Sequence, residues 1–413
     1  MLGAGTWPPF PGADDVAVTL ADLVRRPSVN PMGRDVSGPE YLERRVGDYL
    51  AHRFTATGLP WARQTVHPGR DNVVTRLGAT LVDAPVILWD AHQDTVPAEG
   101  MTIEPFSPAV VDGRLFGRGA CDVKGGMAAM LVAIERLRTA SRPRRFGIVF
   151  AATVNEEFGF SGARALARAW TQPEPGDLAV RDLIGRRPAV AIVAEPTGLA
   201  IVTTHKGAVR WRIVVHGRSC HSAFPERGAN AIYRAGRVIG VLEQLAADLA
   251  GRSPGHACGP PTLNVGTVQG GMGVNLVPDR VVLEIDRRLV PGESPSAARV
   301  EVMERIAERC PSEWVEHDAP FLQSGGLPDQ SQLPVLAGER PRDLLAAAVG
   351  AIGWDCPIGA ARYGTNASIY SAAGIPSVVF GPGSIDEAHT AAESIALHEV
   401  EAAAAALVGL VLG

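Results

Sequence analysis

The chain has 413 residues, of which 46% are hydrophobic and 20% are charged, and its formal net charge is −5. Its length exceeds what one ordinary hydrophobic core holds, so two domains are expected. Because no basic cluster stands out, nucleic-acid binding is set aside. The segment Met1–Phe10 lacks the features of a secretory signal, and no apolar run approaches the roughly 18–20 residues that cross a bilayer.

Five cysteines are scattered along the chain at unrelated spacings. An odd number without a repeating pattern favours reduced thiols, and therefore a cytoplasmic protein, over a disulfide framework. Cys121 adjoins a candidate metal ligand and could itself be a thiolate ligand. A small residue packed near the site is the better interpretation, because no second Cys or His stands at chelating spacing.

The first part of the chain predicts a domain built from alternating helices and strands. An apolar stripe at helical spacing runs through residues 38–58, and a second helix is predicted at 127–134. Apolar runs predict buried strands at 85–89, 146–154 and 189–194. This alternation is typical of a wound α/β domain.

From about residue 205 the pattern changes to that of a compact α+β unit. Strand, helix, strand, strand, helix and strand are predicted at 208–217, 228–250, 263–268, 281–286, 295–309 and 313–316. This β-α-β-β-α-β order is that of a split βαβ unit. The sequence therefore predicts a catalytic domain over 1–204 and 321–413, interrupted by an inserted domain over 205–320.

Five acidic or imidazole side chains are the candidate metal ligands: His92, Asp122, Glu157, Glu195 and His389. Four of the five follow apolar runs that predict buried strands. In an open α/β sheet, ligands bind outside the carboxyl ends of the strands, so polar groups at those ends converge on one site. Two histidines and three carboxylates suit zinc or another divalent metal. The arrangement predicts a two-metal hydrolase.

Asp94 and Asp122 each allow two interpretations. Asp94 could accept the second ring N–H of His92 and so fix its tautomer, although a His-x-Asp triplet alone is commoner in surface loops. Asp122 precedes a predicted helix start, where it could be an N-cap, but a carboxylate at this point can also bridge two cations. The presence of further ligands favours the metal-site interpretation of both.

Glu156 and Glu157 are adjacent carboxylates just past an apolar strand, where they would repel each other if left unpaired. A dinuclear site resolves the repulsion if one binds metal and the other takes a proton from the attacking water. A solvated acidic turn is the alternative, and the following Phe158-Gly159-Phe160 argues against full exposure.

Five motifs resemble those of the acetylornithine deacetylase, succinyl-diaminopimelate desuccinylase, aminoacylase and carboxypeptidase-G family of co-catalytic zinc amidohydrolases. The resemblance extends over nearly the whole length of the chain, and the motifs that carry it are Ala91–Pro97, Gly117–Gly126, Asn155–Glu157, Glu195–Thr197 and Glu387–Thr390. The resemblance implies a zinc-peptidase-like three-layer α/β catalytic domain with an inserted ferredoxin-like lid. In the family this lid also forms a homodimer.

The same resemblance implies two zinc ions, for which cobalt can substitute. Their ligands fall into two sets that share Asp122: His92, Glu195 and Asp122 for one metal, and Glu157, His389 and Asp122 for the other. Glu156 is implied to be the general base, and Asp94 the partner of His92.

The resemblance extends to substrate-binding residues. His221 would reach an active site across the dimer and stabilise the oxyanion, with a solvated turn as the alternative. Asn275 and Arg287 would bind the substrate carboxylate, which a planar guanidinium suits, although Arg287 could equally form a surface salt bridge. Gly364 and Thr365 are the remaining substrate-binding candidates.

Two positions depart from the family pattern. Asn366 stands where relatives commonly carry the Asp of Gly-Thr-Asp, and it cannot supply that negative charge. Gln93 replaces the small residue usual between His92 and Asp94. Neither departure changes a metal ligand or Glu156.

The sequence thus predicts a dinuclear metal-dependent hydrolase of linear amide bonds, which removes the acyl group from an N-acyl amino acid. A carboxypeptidase or dipeptidase with the same site is the main alternative, with a short peptide as substrate. A catalytically silent relative that binds a small molecule or metal is the other, and the intact Glu156 disfavours it.

Overall fold

A computed structural model describes residues 15–81, 83–253, 255–336 and 338–413, and the segment Met1–Phe10 considered above lies outside them. The chain divides into two compact units. The first holds the described residues up to Thr203, together with Gln330–Gly359 and Thr365–Gly413. The second holds Thr204–Asp329 and Ala360–Gly364.

The described residues form these helices: α1 (Val16–Val24), α2 (Arg44–Ala56), α3 (Gly125–Thr139), α4 (Ser161–Thr171), α5 (Leu178–Ile184), α6 (Ala231–Ala250), α7 (Pro295–Ala307), α8 (Pro341–Ala351), α9 (Ala367–Ala372) and α10 (Leu397–Leu412). The strands are β1 (Trp61–His67), β2 (Arg70–Leu77), β3 (Val86–His92), β4 (Ala109–Val111), β5 (Arg114–Phe116), β6 (Gly147–Thr153), β7 (Val190–Val193), β8 (Ile201–His205), β9 (Gly207–His216), β10 (Cys220–His221), β11 (Thr262–Gly270), β12 (Leu276–Val277), β13 (Arg280–Leu289), β14 (Val315–His317), β15 (Leu322–Ser324), β16 (Ile358–Ala361), β17 (Ser377–Val379) and β18 (Ser394–Ala396).

An eight-stranded sheet in the order β1-β2-β6-β3-β7-β17-β8-β16 organises the first unit. Its central strands β6, β3, β7 and β17 pair in parallel. Strand β3 is buried along its whole length, which is why it reads as a continuous apolar run and not as an alternating one. The carboxyl ends of these strands therefore meet at one edge of the sheet.

Helices cover both faces of this sheet. Trp89 of β3 belongs to a hydrophobic core that also includes residues of α1, α3 and α10. The carboxylate of its neighbour Asp90 instead accepts a hydrogen bond from Tyr370 of α9. Because successive strand side chains point to opposite faces, these contacts assign the helices to opposite layers. The predicted α/β class with a large central sheet is confirmed.

The second unit has its own antiparallel sheet and its own core. Its strands lie in the order β11-β13-β9-β14, and β15 also pairs with β9. Helix α6 begins after Asn230, whose side chain accepts the N–H groups of Ile232 and Tyr233. Its apolar face, which includes Val238 and Leu242, packs on the sheet together with α7. The role of this part of the chain as a lid stays a prediction.

None of the helices in the described part of the chain combines the length and the apolar character that crossing a lipid bilayer requires.

Candidate metal centre

The structure brings all five predicted ligands together at the strand-end edge of the first unit. They form two groups, His92 with Asp122 and Glu195, and Asp122 with Glu157 and His389. In each group, one potential ligand atom per residue lies within 4.8 Å of the others. The two groups share Asp122.

Asp122 lies between the two histidines. Its Oδ1 is 3.0 Å from Nε2 of His92, and its Oδ2 is 3.2 Å from Nε2 of His389. Nε2 of His389 is also 3.3 Å from Oε1 of Glu157. One carboxylate therefore turns a separate oxygen toward each group, which is the arrangement that a ligand bridging two cations requires.

Glu393 holds the loop that carries Asp122. Its buried carboxylate accepts the backbone N–H groups of Gly119, Cys121 and Asp122 at 2.9–3.0 Å. Arg118 donates to the same carboxylate at 2.7 Å. Glu393 was not among the predicted site residues, because this glutamate follows no predicted strand and lies in none of the five motifs.

Asp94 holds the segment that carries the paired glutamates. Its Oδ1 accepts the N–H of Glu156 at 3.1 Å, and its Oδ2 accepts the N–H of Glu157 at 3.2 Å. Asn30 donates to the same carboxylate at 2.8 Å. The bond to Nδ1 of His92 comes instead from the main-chain oxygen of Asp94, at 2.9 Å, while the carboxylate lies 3.7 Å away. His92 thus bonds to the residue that was predicted, but through the main-chain oxygen.

Asn155, directly before Glu156, has a left-handed backbone with a φ of 61°. Two charged residues that pair with each other stabilise it. Glu43 accepts the Asn155 N–H at 3.2 Å, and Arg70 donates to the Asn155 side-chain oxygen at 2.9 Å. The position of Glu156 is therefore set from both sides, by this pair and by Asp94.

The site concentrates negative charge away from water. Burial, with added repulsion from neighbouring carboxylates, raises the pKa values of Glu156 and Glu195 well above normal. Burial lowers the pKa of His389, but bonds to Asp122 and Glu157 outweigh it and raise that pKa to about 11. Divalent cations would relieve this repulsion, and the oxygen and imidazole donors fit them.

Cys121 belongs to neither ligand group. Its thiol is buried and donates to the carbonyl of Ser384 at 3.2 Å. Burial, assisted by nearby carboxylates, raises the pKa of this thiol far above its usual range. The placement agrees with a packed residue and not with a thiolate ligand.

Asn366, which stands where relatives commonly carry an aspartate, donates a hydrogen bond to a carboxylate and does not itself provide one. Its side-chain N–H groups donate to Asp90 at 2.9 Å and to Thr153 at 3.1 Å. Tyr370 donates to the other oxygen of Asp90 at 3.1 Å. Burial raises the pKa of Asp90 to about 6, although hydrogen bonds from Asn366, Tyr370 and the Thr153 hydroxyl, which donates at 2.9 Å, oppose the shift. In this hydrogen-bonded group the carboxylate is therefore that of Asp90, two residues before His92.

His221 and Asn275 lie together in the second unit. Strand β10 pairs His221 with Leu276, and the N–H of Ser222 donates to the Asn275 carbonyl at 3.0 Å. Nδ1 of His221 accepts the N–H of Ala223 at 3.1 Å. In the neutral ring the proton is then on Nε2, which leaves the exposed imidazole with an N–H donor.

Arg287 does not have the free guanidinium that its predicted role requires. Its side chain is 0% exposed and donates to Glu293 at 2.7 Å and to the Arg288 carbonyl. To bind a substrate carboxylate it would have to leave Glu293. The neighbouring Arg288 keeps 26% of its side chain exposed, with Asp286 at 3.0 Å. Of the two arginines, Arg288 is the accessible one.

The remaining substrate-binding candidates are adjacent in sequence but differ in placement. Gly364 is half-buried and belongs to the second unit. Thr365 belongs to the first unit, is fully buried and accepts the N–H of Ala367 at 3.1 Å through its hydroxyl. Its side chain supports the start of α9 and does not present an open surface to a ligand.

Comparison with known proteins agrees with this geometry. Residues 88–413 match the model of peptidase family M20/M25/M40. An acetylornithine deacetylase of Myxococcus xanthus is 29% identical over 364 residues, which cover 86% of this chain and 87% of that protein. A "Probable carboxypeptidase" of Aspergillus terreus is 29% identical over 379 residues, covering 87% and 80%.

The fold is similarly shared. The crystal structure of an M20 family metallo-carboxypeptidase from Sulfolobus solfataricus superimposes with a TM-score of 0.73. The two sequences are 17% identical, and the match covers 96% of this chain and 98% of the other.

Proposed function

This chain belongs to peptidase family M20/M25/M40 and is a hydrolase of amide bonds, and from that premise we propose that it removes the acyl group from N-acyl amino acids. One observation carries the proposal: Glu156 is fixed beside two ligand groups that share Asp122. The similarity to an acetylornithine deacetylase over 86% of the chain supports the substrate class.

We propose that His92, Asp122 and Glu195 hold one divalent metal ion, and that Asp122, Glu157 and His389 hold the second. The imidazole and carboxylate donors favour zinc, and cobalt can use the same donors. When bound, the two cations would polarise the scissile carbonyl and the attacking water.

Glu156 is the proposed general base. Its carboxylate takes a proton from the attacking water and gives that proton to the leaving amine, so the same oxygen is first acceptor and then donor. Its buried surroundings favour the protonated form between these transfers. Asp94 fixes the main chain of Glu156 and thereby the direction of its side chain.

The second unit is the proposed lid and dimerisation domain. Val268, Met272 and Val274 are largely exposed along and beyond the edge strand β11, and a second copy could cover them. In such a homodimer His221 would act on the site of the partner subunit, where its Nε2–H would stabilise the oxyanion.

Asn275 and Arg288 are the proposed carboxylate-binding residues. Asn275 lies next to His221, and the side chain of Arg288, which pairs with Asp286, is 26% exposed, whereas that of Arg287 is 0% exposed. A guanidinium and an amide N–H together bind a carboxylate with directional, charge-assisted hydrogen bonds.

A carboxypeptidase or dipeptidase activity is the second candidate, because the probable carboxypeptidase and the acetylornithine deacetylase have the same sequence identity to this chain, 29%. A substrate panel separates the candidates. Metal-replete protein is assayed with N-acetyl, N-succinyl and N-formyl amino acids and with dipeptides of matched side chains. Preference for the acylated amino acids supports the proposal, and preference for dipeptides supports the alternative. Absence of turnover despite two bound metals would identify a silent relative.

We also propose a reducing compartment such as the cytoplasm. All five cysteines are free thiols, and three of them are buried.

A further inference from the structure

A cavity lies within the second unit, in the groove between α6 and the end of α7. Its volume is about 490 Å³. Arg237, Gly240 and Val241 of α6 form one wall, and Arg305 and Arg309 form the other. A cavity of this size holds a small organic molecule and is far larger than a single inorganic ion.

The charge of the lining is unbalanced. Arg305 pairs with Asp248 at 2.8 Å and has Glu308 at 3.8 Å. Arg237 and Arg309 have no carboxylate within 4.0 Å among the described residues. Two arginines without a carboxylate partner among the described residues therefore line the cavity.

The helix dipole explains the positions of only two of the three arginines that line the cavity. Cations near a helix C-terminus are stabilised by its dipole, and Arg305 and Arg309 lie at that end of α7. Arg237 comes from the middle of α6, where no such effect acts. Its guanidinium lies 5.4 Å from the ring centre of Trp314, so an aromatic face orients it.

We propose that this cavity binds a small organic phosphate. Two guanidinium groups that lack a carboxylate partner match the charge of a phosphate monoester, about −1.5 to −2 at neutral pH, better than that of a monocarboxylate. Gly240, Val241 and Cys310 supply the uncharged surface for the organic part of the ligand.

Two glycines of α6 provide a matched test of the cavity. A Cβ atom at Gly236 or at Gly240 would meet nothing within 4 Å, so a side chain can begin at either position without a clash. Only Gly240 lines the cavity. Gly240→Leu therefore adds a bulky side chain at the cavity wall, and Gly236→Leu makes the same change on the same helix outside the cavity.

The experiment is calorimetric titration of the full chain at constant ionic strength, with phenyl phosphate, inorganic phosphate and benzoate as probes. We expect one phenyl phosphate per chain, bound at least tenfold more tightly than inorganic phosphate or benzoate. Gly240→Leu should abolish this binding and Gly236→Leu should keep it. Arg237→Gln and Arg309→Gln should each weaken it by about tenfold, the effect of one charge-assisted hydrogen bond.

Unchanged thermal unfolding and unchanged amide hydrolysis in Gly240→Leu will show that this variant is folded. Phenyl phosphate that binds equally to Gly240→Leu and to the unaltered protein occupies another site, such as the metal centre, and refutes the proposal. Equal affinity for inorganic phosphate would reduce the site to an adventitious ion only. Equal affinity for benzoate would refute the phosphate class.

Discussion

Asp94 and Glu156 are joined through the main chain: Oδ1 of Asp94 accepts the Glu156 N–H at 3.1 Å, while Oδ2 accepts the next N–H along, that of Glu157. A single carboxylate thus orients the backbone of two adjacent acids that are proposed to do different work. Asn30 occupies a further acceptor position of Asp94 and leaves it little freedom.

Asp94→Asn should lower kcat by at least tenfold, because an amide offers one acceptor oxygen where two backbone N–H groups need one each. KM should change less than kcat, since Asp94 is not expected to touch the substrate. Steady-state kinetics on metal-replete protein measure both, with Glu99→Gln at an exposed carboxylate as the control. A kcat close to that of the control would show that the two backbone bonds do not position Glu156.

Glu156→Ala should keep two bound metals while kcat falls by roughly two to four orders of magnitude, the usual contribution of a positioned general base. Glu157→Ala should lose metal as well as activity. Elemental analysis after gel filtration and a turnover assay test both variants. Loss of metal in Glu156→Ala with full retention in Glu157→Ala would reverse the two roles.

Arg288→Ala should raise KM for a substrate with a free carboxylate by about tenfold or more, because it removes a charge-assisted hydrogen bond. Arg287→Ala should instead lower the free energy of unfolding by about 1–3 kcal/mol, since Glu293 loses its partner in a partly buried pair. Kinetics and urea unfolding of both variants separate these outcomes. An Arg287 variant with normal stability and a raised KM would restore its predicted role in substrate binding.

Mixing inactive Glu156→Ala with inactive His221→Ala should restore activity if His221 acts across a dimer. Each mixed dimer would contain one site with both residues intact and one site with neither. Random exchange of equal amounts should then give roughly a quarter of the unaltered activity, a count that follows from two-fold symmetry. Subunit exchange is confirmed with an independent label. An active monomer in sedimentation, or exchange without recovery, would exclude the trans arrangement.

His205 should make the protein less stable in mild acid. It is fully buried, and burial lowers its pKa from 6.5 to about 4, although its bond to the Lys206 carbonyl opposes this. The contribution of neutral His205 to the free energy of unfolding is complete above 6.5, the pKa of this histidine in the unfolded chain. It is lost as the pH falls from 6.5 toward 4, because His205 takes up a proton in the unfolded chain before it does so in the folded protein. The loss is at most about 3 kcal/mol.

Urea unfolding at pH 7 and pH 4.5 measures this effect, with His205→Asn as the test and His216→Asn, at an exposed site, as the control. The stability difference between the two pH values should shrink in His205→Asn only. An equal reduction in both variants would show that His205 is not the group responsible.

Most of the candidate metal ligands could be located from the sequence because one physical rule governs their positions. His92, Glu157 and Glu195 follow buried strands, and the carboxyl ends of parallel strands meet at one edge of the sheet. Helices were also predicted closely, as residues 295–309 form α7 at Pro295–Ala307. Glu43 and Asn30 could not be found in this way, because their bonds depend on where loops pack and not on any local pattern.

The inward placement of Arg287 could have been predicted from the sequence. Val281, Leu283 and Ile285 are buried at alternating positions of β13, and Arg287 continues that alternation. Strand periodicity therefore places Arg287 inward and Arg288 outward. The resemblance to relatives indicated the region of the candidate arginine but not which face of the strand it lies on.

The bond between Glu393 and the loop of Asp122 has a consequence for the timing of synthesis. The two residues are 271 positions apart, and at about 5–20 residues per second a ribosome needs roughly 15–50 s to add the intervening chain. During that interval the nascent chain lacks both the acceptor that orders this loop and His389. A nascent chain that has not yet reached His389 therefore lacks one residue of the second candidate ligand group.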